Sequence, residues 1–206
     1  MHSSRLIPDD RKLIQIADSA FADAARRSGE WLVCRPGCTQ CCVGVFAINQ
    51  LDALRLQRGL RKLENNDPAR AERIKQRTRS STSRLSKDFP GDSTTGMLDE
   101  SGEGKLRFAE FGNDEPCPVL DPLTGTCDLY ESRPMTCRVF GPPVRSEEGL
   151  GACELCYHGA TDEEIISCEI RPDPDDLESI LVEELESTTG KKGHTTVAYA
   201  LALHPE

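Results

Sequence analysis

The stretch Cys34-Arg-Pro-Gly-Cys38-Thr-Gln-Cys41-Cys42 carries the strongest structural signal in this chain of 206 residues. Its proline and glycine interrupt regular structure, so the segment is predicted to be a loop. Closely spaced cysteines in one loop can direct several sulfurs toward one centre, and thiolates select zinc or iron–sulfur clusters over hard cations. The adjacent pair Cys41 and Cys42 is harder to place, because neighbouring side chains tend to diverge. Either one of them binds metal and the other packs, or the two serve different centres.

A second group of cysteines follows at wider spacing. Cys117, Cys127 and Cys137 are separated by nine residues each time. Pro118 removes a backbone N–H and stiffens the first of these positions, as at the cysteine-proline end of ferredoxin motifs. The segment 121–125 is predicted to be a turn that brings Cys127 back toward Cys117.

A third group consists of Cys153-x2-Cys156 followed by Cys168. A Cys-x2-Cys pair fits metal binding and also a redox dithiol. His158 is a candidate fourth ligand, although a histidine near a cysteine cluster is more often a bystander. Cys168 is expected to be a small buried apolar residue, apart from the others. The predicted metal ligands are therefore Cys34, Cys38, Cys41, Cys42, Cys117, Cys127, Cys137, Cys153 and Cys156, with Cys153 and Cys156 as alternatives for one position.

The composition excludes several classes of protein. A net charge of −10 argues against binding to nucleic acid or anionic lipid. The sequence shows no signal peptide and no apolar stretch of membrane-spanning length, which predicts a cytoplasmic location. In a reducing compartment, clustered cysteines hold metal more often than they form disulfides. The expected partners are a metal ion and a protein partner or substrate.

The predicted site has consequences for its surroundings. A centre with four thiolates is negatively charged, and Arg35, Arg133 and Arg138 are candidates to compensate that charge. We expect Cys34, Cys38, Cys41 and Cys137 to meet, with Cys117, Cys127 and Cys156 nearby. His2, His194 and His204 should then be dispensable for metal content. A centre that uses both main groups would close a long loop, so metal binding would be coupled to folding.

The expected fold is an α-rich α+β domain with several helices and short strands. Asp9 or Asp10 is predicted to cap a first helix, Asn49 a second and Asp67-Pro68 a third. Residues 177–185 are predicted to be helical, and residues 195–203 form a last apolar segment. Residues 91–105 are predicted to form a mobile loop or a hairpin tip, and residues 106–111 are predicted to form a strand. The predicted organisation is an N-terminal helix (1–30), a cysteine-cluster domain (31–170) with a helical insert at about 50–90, and an acidic helical extension (171–206) that packs on the same domain.

The segment Cys117-Pro-Val-Leu-Asp-Pro-Leu-Thr-Gly-Thr-Cys127-Asp-Leu-Tyr-Glu-Ser-Arg-Pro-Met-Thr-Cys137-Arg, together with the first loop, resembles the YkgJ-type cysteine-cluster family, whose domain is described as chelating zinc or iron. The resemblance covers roughly residues 31–168. It implies about eight ligand cysteines. The family is related to the flagellin lysine N-methylases, so the resemblance also implies, more weakly, a methyl transfer that depends on S-adenosylmethionine.

Several functions remain open at the level of sequence. A thiolate-bound iron–sulfur cluster of the [4Fe–4S] type is favoured over zinc, because the thiols outnumber the four ligands of one zinc ion. The alternatives are a structural zinc module that binds a partner and a protein lysine methyltransferase. Cys34-x3-Cys38-x2-Cys41 also matches the radical S-adenosylmethionine triad, but no repeated strand–helix units follow it. Whether the chain is an enzyme stays open, as either an iron–sulfur oxidoreductase or a methyltransferase, because no catalytic motif is present.

Overall fold

The computed structural model describes residues 3–146 and 149–203, and the side chains from residue 6 onward. The helices are α1 Ser3–Ser28, α2 Gln50–Asn66, α3 Pro68–Leu85, α4 Gly102–Ala109, α5 Met135–Val139, α6 Asp162–Ser167, α7 Leu177–Thr189 and α8 Val197–Ala202. The strands are β1 Ala47–Ile48, β2 Gly91–Asp92, β3 Met97–Leu98, β4 Leu120–Asp121, β5 Thr126–Cys127, β6 Val144–Ser146, β7 Gly149–Gly151 and β8 Thr195–Thr196. The chain is therefore an α+β protein rich in helix, as predicted.

The chain divides into two compact units, each built from two stretches. Unit 1 comprises residues 1–35 and 135–185, and unit 2 comprises residues 36–134 and 186–206. The three-part organisation predicted from the sequence stays a prediction. Among the described residues, no helix combines the length and the apolar character needed to cross a membrane.

The core of unit 2 lies where α2, α3 and α8 pack together. Leu56, Ile74 and Leu60 are almost fully buried there, and the side chains of Cys117 and Cys127 pack against this core. Helices α2 and α3 start at their predicted caps. Asn49 accepts a hydrogen bond from the Asp52 N–H (2.9 Å), and Asp67 accepts one from Arg70 (3.0 Å) with proline at the first helical position.

Two hairpins of unit 2, β2–β3 and β4–β5, have turns of the same type, each with the sequence Asp-x-x-Thr-Gly. Asp92 accepts hydrogen bonds from the N–H of Thr94 and the hydroxyl of Thr95, both at 2.8 Å. Asp121 accepts the equivalent bonds from Leu123 and Thr124, both at 3.0 Å. The glycine that ends each turn, Gly96 or Gly125, has a positive φ of 69° or 67°. The turn predicted at 121–125 is confirmed, and it places Cys127 opposite Leu120 in β5 and β4.

Two local predictions need correction. Helix α1 begins at Ser3, not at Asp9 or Asp10, because buried Leu6 continues the apolar stripe of Leu13 and Ala17 through the preceding turn. Residues 106–111 are not a strand, since Ser101 caps a helix there by accepting a hydrogen bond from Gly104 at 3.1 Å.

In the 91–105 segment, the hairpin is the alternative observed, over residues 91–98, and residues 102–105 already belong to α4. Strand β1 (Ala47–Ile48) pairs with β8. The predicted helix at 177–185 is confirmed and continues to Thr189. The apolar segment at 195–203 forms β8 and then α8.

Candidate metal centre

The ten cysteines are thiols and divide equally between the two units. Unit 2 contains Cys38, Cys41, Cys42, Cys117 and Cys127, and unit 1 contains Cys34, Cys137, Cys153, Cys156 and Cys168. The predicted meeting of Cys34 and Cys137 with Cys38 and Cys41 involves residues of both units and stays a prediction.

The first cysteines of unit 2 lie on a tight turn. Residues Gln40–Cys42 form a 3₁₀ helix, closed by a hydrogen bond from the Cys42 N–H to the Thr39 carbonyl at 2.8 Å. In this turn the sulfurs of Cys41 and Cys42 lie 4.0 Å apart. The expectation that these neighbouring side chains diverge is therefore wrong. Two thiolates on one tetrahedral zinc, each about 2.3 Å from the ion, would be about 3.8 Å apart, so the pair fits one ion.

The hairpin β4–β5 is joined to this turn through the backbone. The Cys117 N–H donates to the Cys42 carbonyl at 2.8 Å, and Val43 pairs with Pro116 in an isolated β-bridge. The N–H of Leu120 donates to the Cys117 carbonyl at 3.0 Å, which fixes Cys117 at the base of the hairpin. The loop before Cys38 also meets the hairpin, because a Cβ at Gly125 would lie only 3.4 Å from the Cα of Gly37.

The thiols of unit 2 influence each other electrostatically. The hydrogen bond from Cys42 lowers the pKa of Cys41 to about 6, and the charge of Arg133 acts in the same direction. The same hydrogen bond raises the pKa of Cys42, as do its burial and the neighbouring Cys41, Cys117 and Cys127. Burial raises the pKa of Cys117 to about 12 and also raises that of Cys127. Before any metal binds, Cys41 is therefore more easily ionised than Cys42, Cys117 and Cys127.

The three arginines proposed as charge partners differ in position. Arg133 lies over the ring of Tyr130, 3.5 Å from its centroid, and its charge lowers the pKa of Cys41. Arg138 is buried and forms an ion pair with Asp18 of α1, with distances of 3.0 and 3.1 Å. Arg35 is exposed. Of these three arginines, Arg133 is the one whose charge favours the thiolate form of a candidate ligand.

In unit 1 the third cysteine group forms a buried cluster. Cys153, Cys156 and Cys168 pack together with Tyr157, and Cys34 packs against this cluster. Cys168 is buried as predicted, with 2% of its surface exposed, but it does not lie apart from Cys153 and Cys156. Cys168 follows directly after α6, which ends at Ser167, and its side chain is buried in the same apolar cluster. The turn between the other two cysteines is closed by a hydrogen bond from the Cys156 N–H to the Cys153 carbonyl at 2.9 Å.

The structure describes two of the four histidines, His158 and His194. The ring of His194 pairs with Glu100 at 2.7 Å, and half of its side chain is exposed. His158 is exposed although it follows Cys156 by two residues. His2 and His204 lie outside the described residues. That these histidines are dispensable for metal content stays a prediction.

Sequence reasoning overlooked a buried carboxylate beside Cys127. The side chain of Asp128 is 2% exposed and pairs with Arg70 and Arg77 of α3, each at 2.5 Å. The signal in the sequence is the spacing of the two arginines, which lie seven residues apart and therefore on one face of the helix.

Within residues 3–146 and 149–203, no three side chains of His, Cys, Asp or Glu are already grouped closely enough to hold a metal ion.

Comparison with known proteins gives one match. No curated protein and no solved structure is similar to this chain. The model of the family CxxCxxCC, described as "Putative zinc- or iron-chelating domain", matches residues 33–157. The match spans more than half of the chain and includes every cysteine except Cys168. The first spacing in this chain is Cys-x3-Cys, one residue longer than in the family's name. The chain belongs to the CxxCxxCC family of zinc- or iron-chelating domains.

Proposed function

We propose that this chain binds one zinc or iron ion through thiolates of unit 2, and that the ion fastens the turn of Cys41 and Cys42 to the hairpin of Cys117 and Cys127. The observation that carries the proposal is the 4.0 Å distance between the sulfurs of Cys41 and Cys42. Ligands on different irons of a four-iron cluster point away from each other and lie farther apart than two ligands of one ion. The spacing therefore favours a single ion over a [4Fe–4S] cluster.

The remaining ligands of this ion would be Cys117 and Cys127. Both act electrostatically on Cys42, and the Cys117 N–H is bonded to the Cys42 carbonyl. The buried thiols would lose their protons when the ion binds, because the thiolate is the ligand form. Arg133 would offset part of the resulting negative charge. Such a closed site of four thiolates would supply structural stability, as in zinc modules, and the partner of the module would bind elsewhere on its surface.

An iron–sulfur cluster is the second candidate. It is supported by the number of cysteines in the matched segment, which exceeds the four ligands of one ion. In this alternative more than four of the cysteines in the matched segment would contribute ligands. The methyltransferase alternative has no support beyond the resemblance seen in the sequence.

Purification without oxygen, followed by measurement of zinc, iron and acid-labile sulfide, separates these candidates. We expect zinc or iron without stoichiometric sulfide, and loss of that metal in Cys41→Ala. Cys168→Ala is the matched control, because Cys168 lies outside the matched segment and in unit 1, and it should keep the wild-type metal content. Iron and sulfide in equal amounts, about four of each, would overturn the single-ion proposal in favour of the cluster.

A further inference from the structure

We propose that Arg77 is a positioning residue for the metal centre, because it holds the segments of Cys117 and Cys127 in register with a single guanidinium group. This inference rests on the proposed function. It concerns how the two hairpin thiols are presented, which the ligand residues by themselves do not determine. Arg77 lies on α3, outside the cysteine motifs.

The contacts of Arg77 reach the neighbour of each thiol. Its Nε donates to the carbonyl of Pro118 at 2.8 Å, and Pro118 directly follows Cys117. Its Nη2 donates to the carboxylate of Asp128 at 2.5 Å, and Asp128 directly follows Cys127. The planar guanidinium holds these two donors at a fixed separation. Arg77 thus bridges the two ends of the segment that begins at Cys117 and returns at Cys127.

The surroundings of this bridge make it rigid. Asp128 is almost fully buried, and three-quarters of the Arg77 side chain is buried as well. The N–H of Asp128 also donates to the Val119 carbonyl at 2.7 Å, so the same residue closes the hairpin through its backbone. Buried charged groups are costly unless they are paired, so Asp128 strongly favours the geometry in which its partners are in place. Groups that orient ligands in this way affect metal affinity although they never touch the metal.

Arg70 provides the matched control. It lies on the same face of α3, and its Nε donates to the other oxygen of Asp128 at 2.5 Å. Arg70 thus donates to Asp128, whereas the hydrogen bond to the Pro118 carbonyl comes from Arg77. A lysine in place of Arg70 can keep a single bond to a carboxylate. In place of Arg77, a lysine keeps the charge but loses the rigid pair of donors that binds both segments.

The experiment compares Arg77→Lys with Arg70→Lys in the full-length, metal-loaded protein. The readout is the rate at which a chromophoric chelator removes the metal, measured beside the urea unfolding curve of each variant. We expect Arg77→Lys to release metal about 10-fold faster than wild type, and Arg70→Lys to stay close to wild type. Equal acceleration in both variants would overturn the inference, because Arg77 would then act only by neutralising Asp128. Unchanged release in both would overturn it as well.

A second measurement needs no metal. In the metal-free protein, hydrogen exchange at the amides of Leu120 and Asp128 reports whether the hairpin keeps its closure. Arg77→Lys should speed exchange at both amides, and Arg70→Lys should not. A wild-type protein that binds no metal would contradict the proposed function, whereas equal exchange in both variants would contradict the role of Arg77 itself.

Discussion

At the scale of single residues, the pKa values of the neighbouring thiols Cys41 and Cys42 are shifted in opposite directions. The 3₁₀ turn brings their sulfurs to 4.0 Å from each other, and when Cys41 is ionised its thiolate accepts a hydrogen bond from the S–H of Cys42. This bond lowers the pKa of Cys41 to about 6 and raises that of Cys42. One thiol of the pair is therefore ready to bind a cation near neutral pH, while the other releases its proton only when a cation arrives.

This difference predicts the order of alkylation in metal-free protein. At pH 7.5 Cys41 is above its pKa of about 6 and is mostly thiolate, whereas Cys117, with a pKa of about 12, is protonated. Iodoacetamide should therefore modify Cys41 well before Cys117, because the thiolate is the nucleophile. Below pH 6 the rate at Cys41 should fall about tenfold for each pH unit, in line with its thiolate fraction.

Mass spectrometry of peptides after short labelling times checks this order. The control is Cys42→Ala, which removes the S–H donor and should move the onset of Cys41 labelling to higher pH. Labelling of Cys117 as fast as that of Cys41 would contradict the acidities described above.

At the scale of elements, the two Asp-x-x-Thr-Gly hairpins of unit 2 form a natural comparison. The turns of β2–β3 and β4–β5 have the same hydrogen bonds, made by Asp92 and Asp121. Only the β4–β5 hairpin contains a candidate ligand, Cys127, and follows another, Cys117. Turn chemistry is therefore shared, while the proposed metal role belongs to one hairpin.

We predict that Asp121→Ala speeds metal release and that Asp92→Ala does not. Both substitutions remove the same pair of turn hydrogen bonds, but only the first loosens the segment that presents Cys117 and Cys127. Asp121→Ala should accelerate metal release by about 10-fold or less. The effect is limited because the turn is farther from the thiols than their direct neighbours are. Chelator competition measures both rates. Equal release from the two variants would show that the β4–β5 hairpin has no special part in holding the metal.

Capping signals made much of the helical structure predictable. Asn49 and Asp67 start α2 and α3 as expected, because an N-cap side chain acts on the backbone two or three residues away. The start of α1 was missed because burial of Leu6 outweighs the local signal of Asp9 and Asp10. In α4, the alternation of Leu106 and Phe108 mimicked the period of a strand, although Leu106 is 75% exposed.

For the site, residue type was predictable and spatial grouping was not. The family, the metal-binding character and the turn between Cys117 and Cys127 follow from local sequence. The short distance between Cys41 and Cys42 depends on the helical turn at Gln40, and the partners of Asp128 come from a helix more than 50 residues away. The contacts of Asp128 arise from tertiary packing. The spacing of Arg70 and Arg77 places both on one face of α3, but it does not show which carboxylate they meet.

At the scale of the whole molecule, the chain crosses between its units at Arg35, Pro134 and Leu185. Each unit thus contains cysteines from distant parts of the sequence, and the two units hold five thiols each. Because the turn of Cys41 and Cys42 and the hairpin of Cys117 and Cys127 belong to unit 2, a metal ion bound by them would join segments about 75 residues apart in one unit. Metal binding would then be coupled to the folding of that unit.

The proposed function requires that cysteine thiolates of this chain hold a single metal ion. X-ray absorption at the K-edge of the metal in the purified protein tests it most directly, because the first coordination shell distinguishes sulfur from lighter ligands. For zinc, we expect about four sulfur atoms at about 2.3 Å from the ion and no nearby second metal. A first shell of nitrogen or oxygen at about 2.0–2.2 Å would contradict binding by thiolates, and a short metal–metal distance would contradict a single ion.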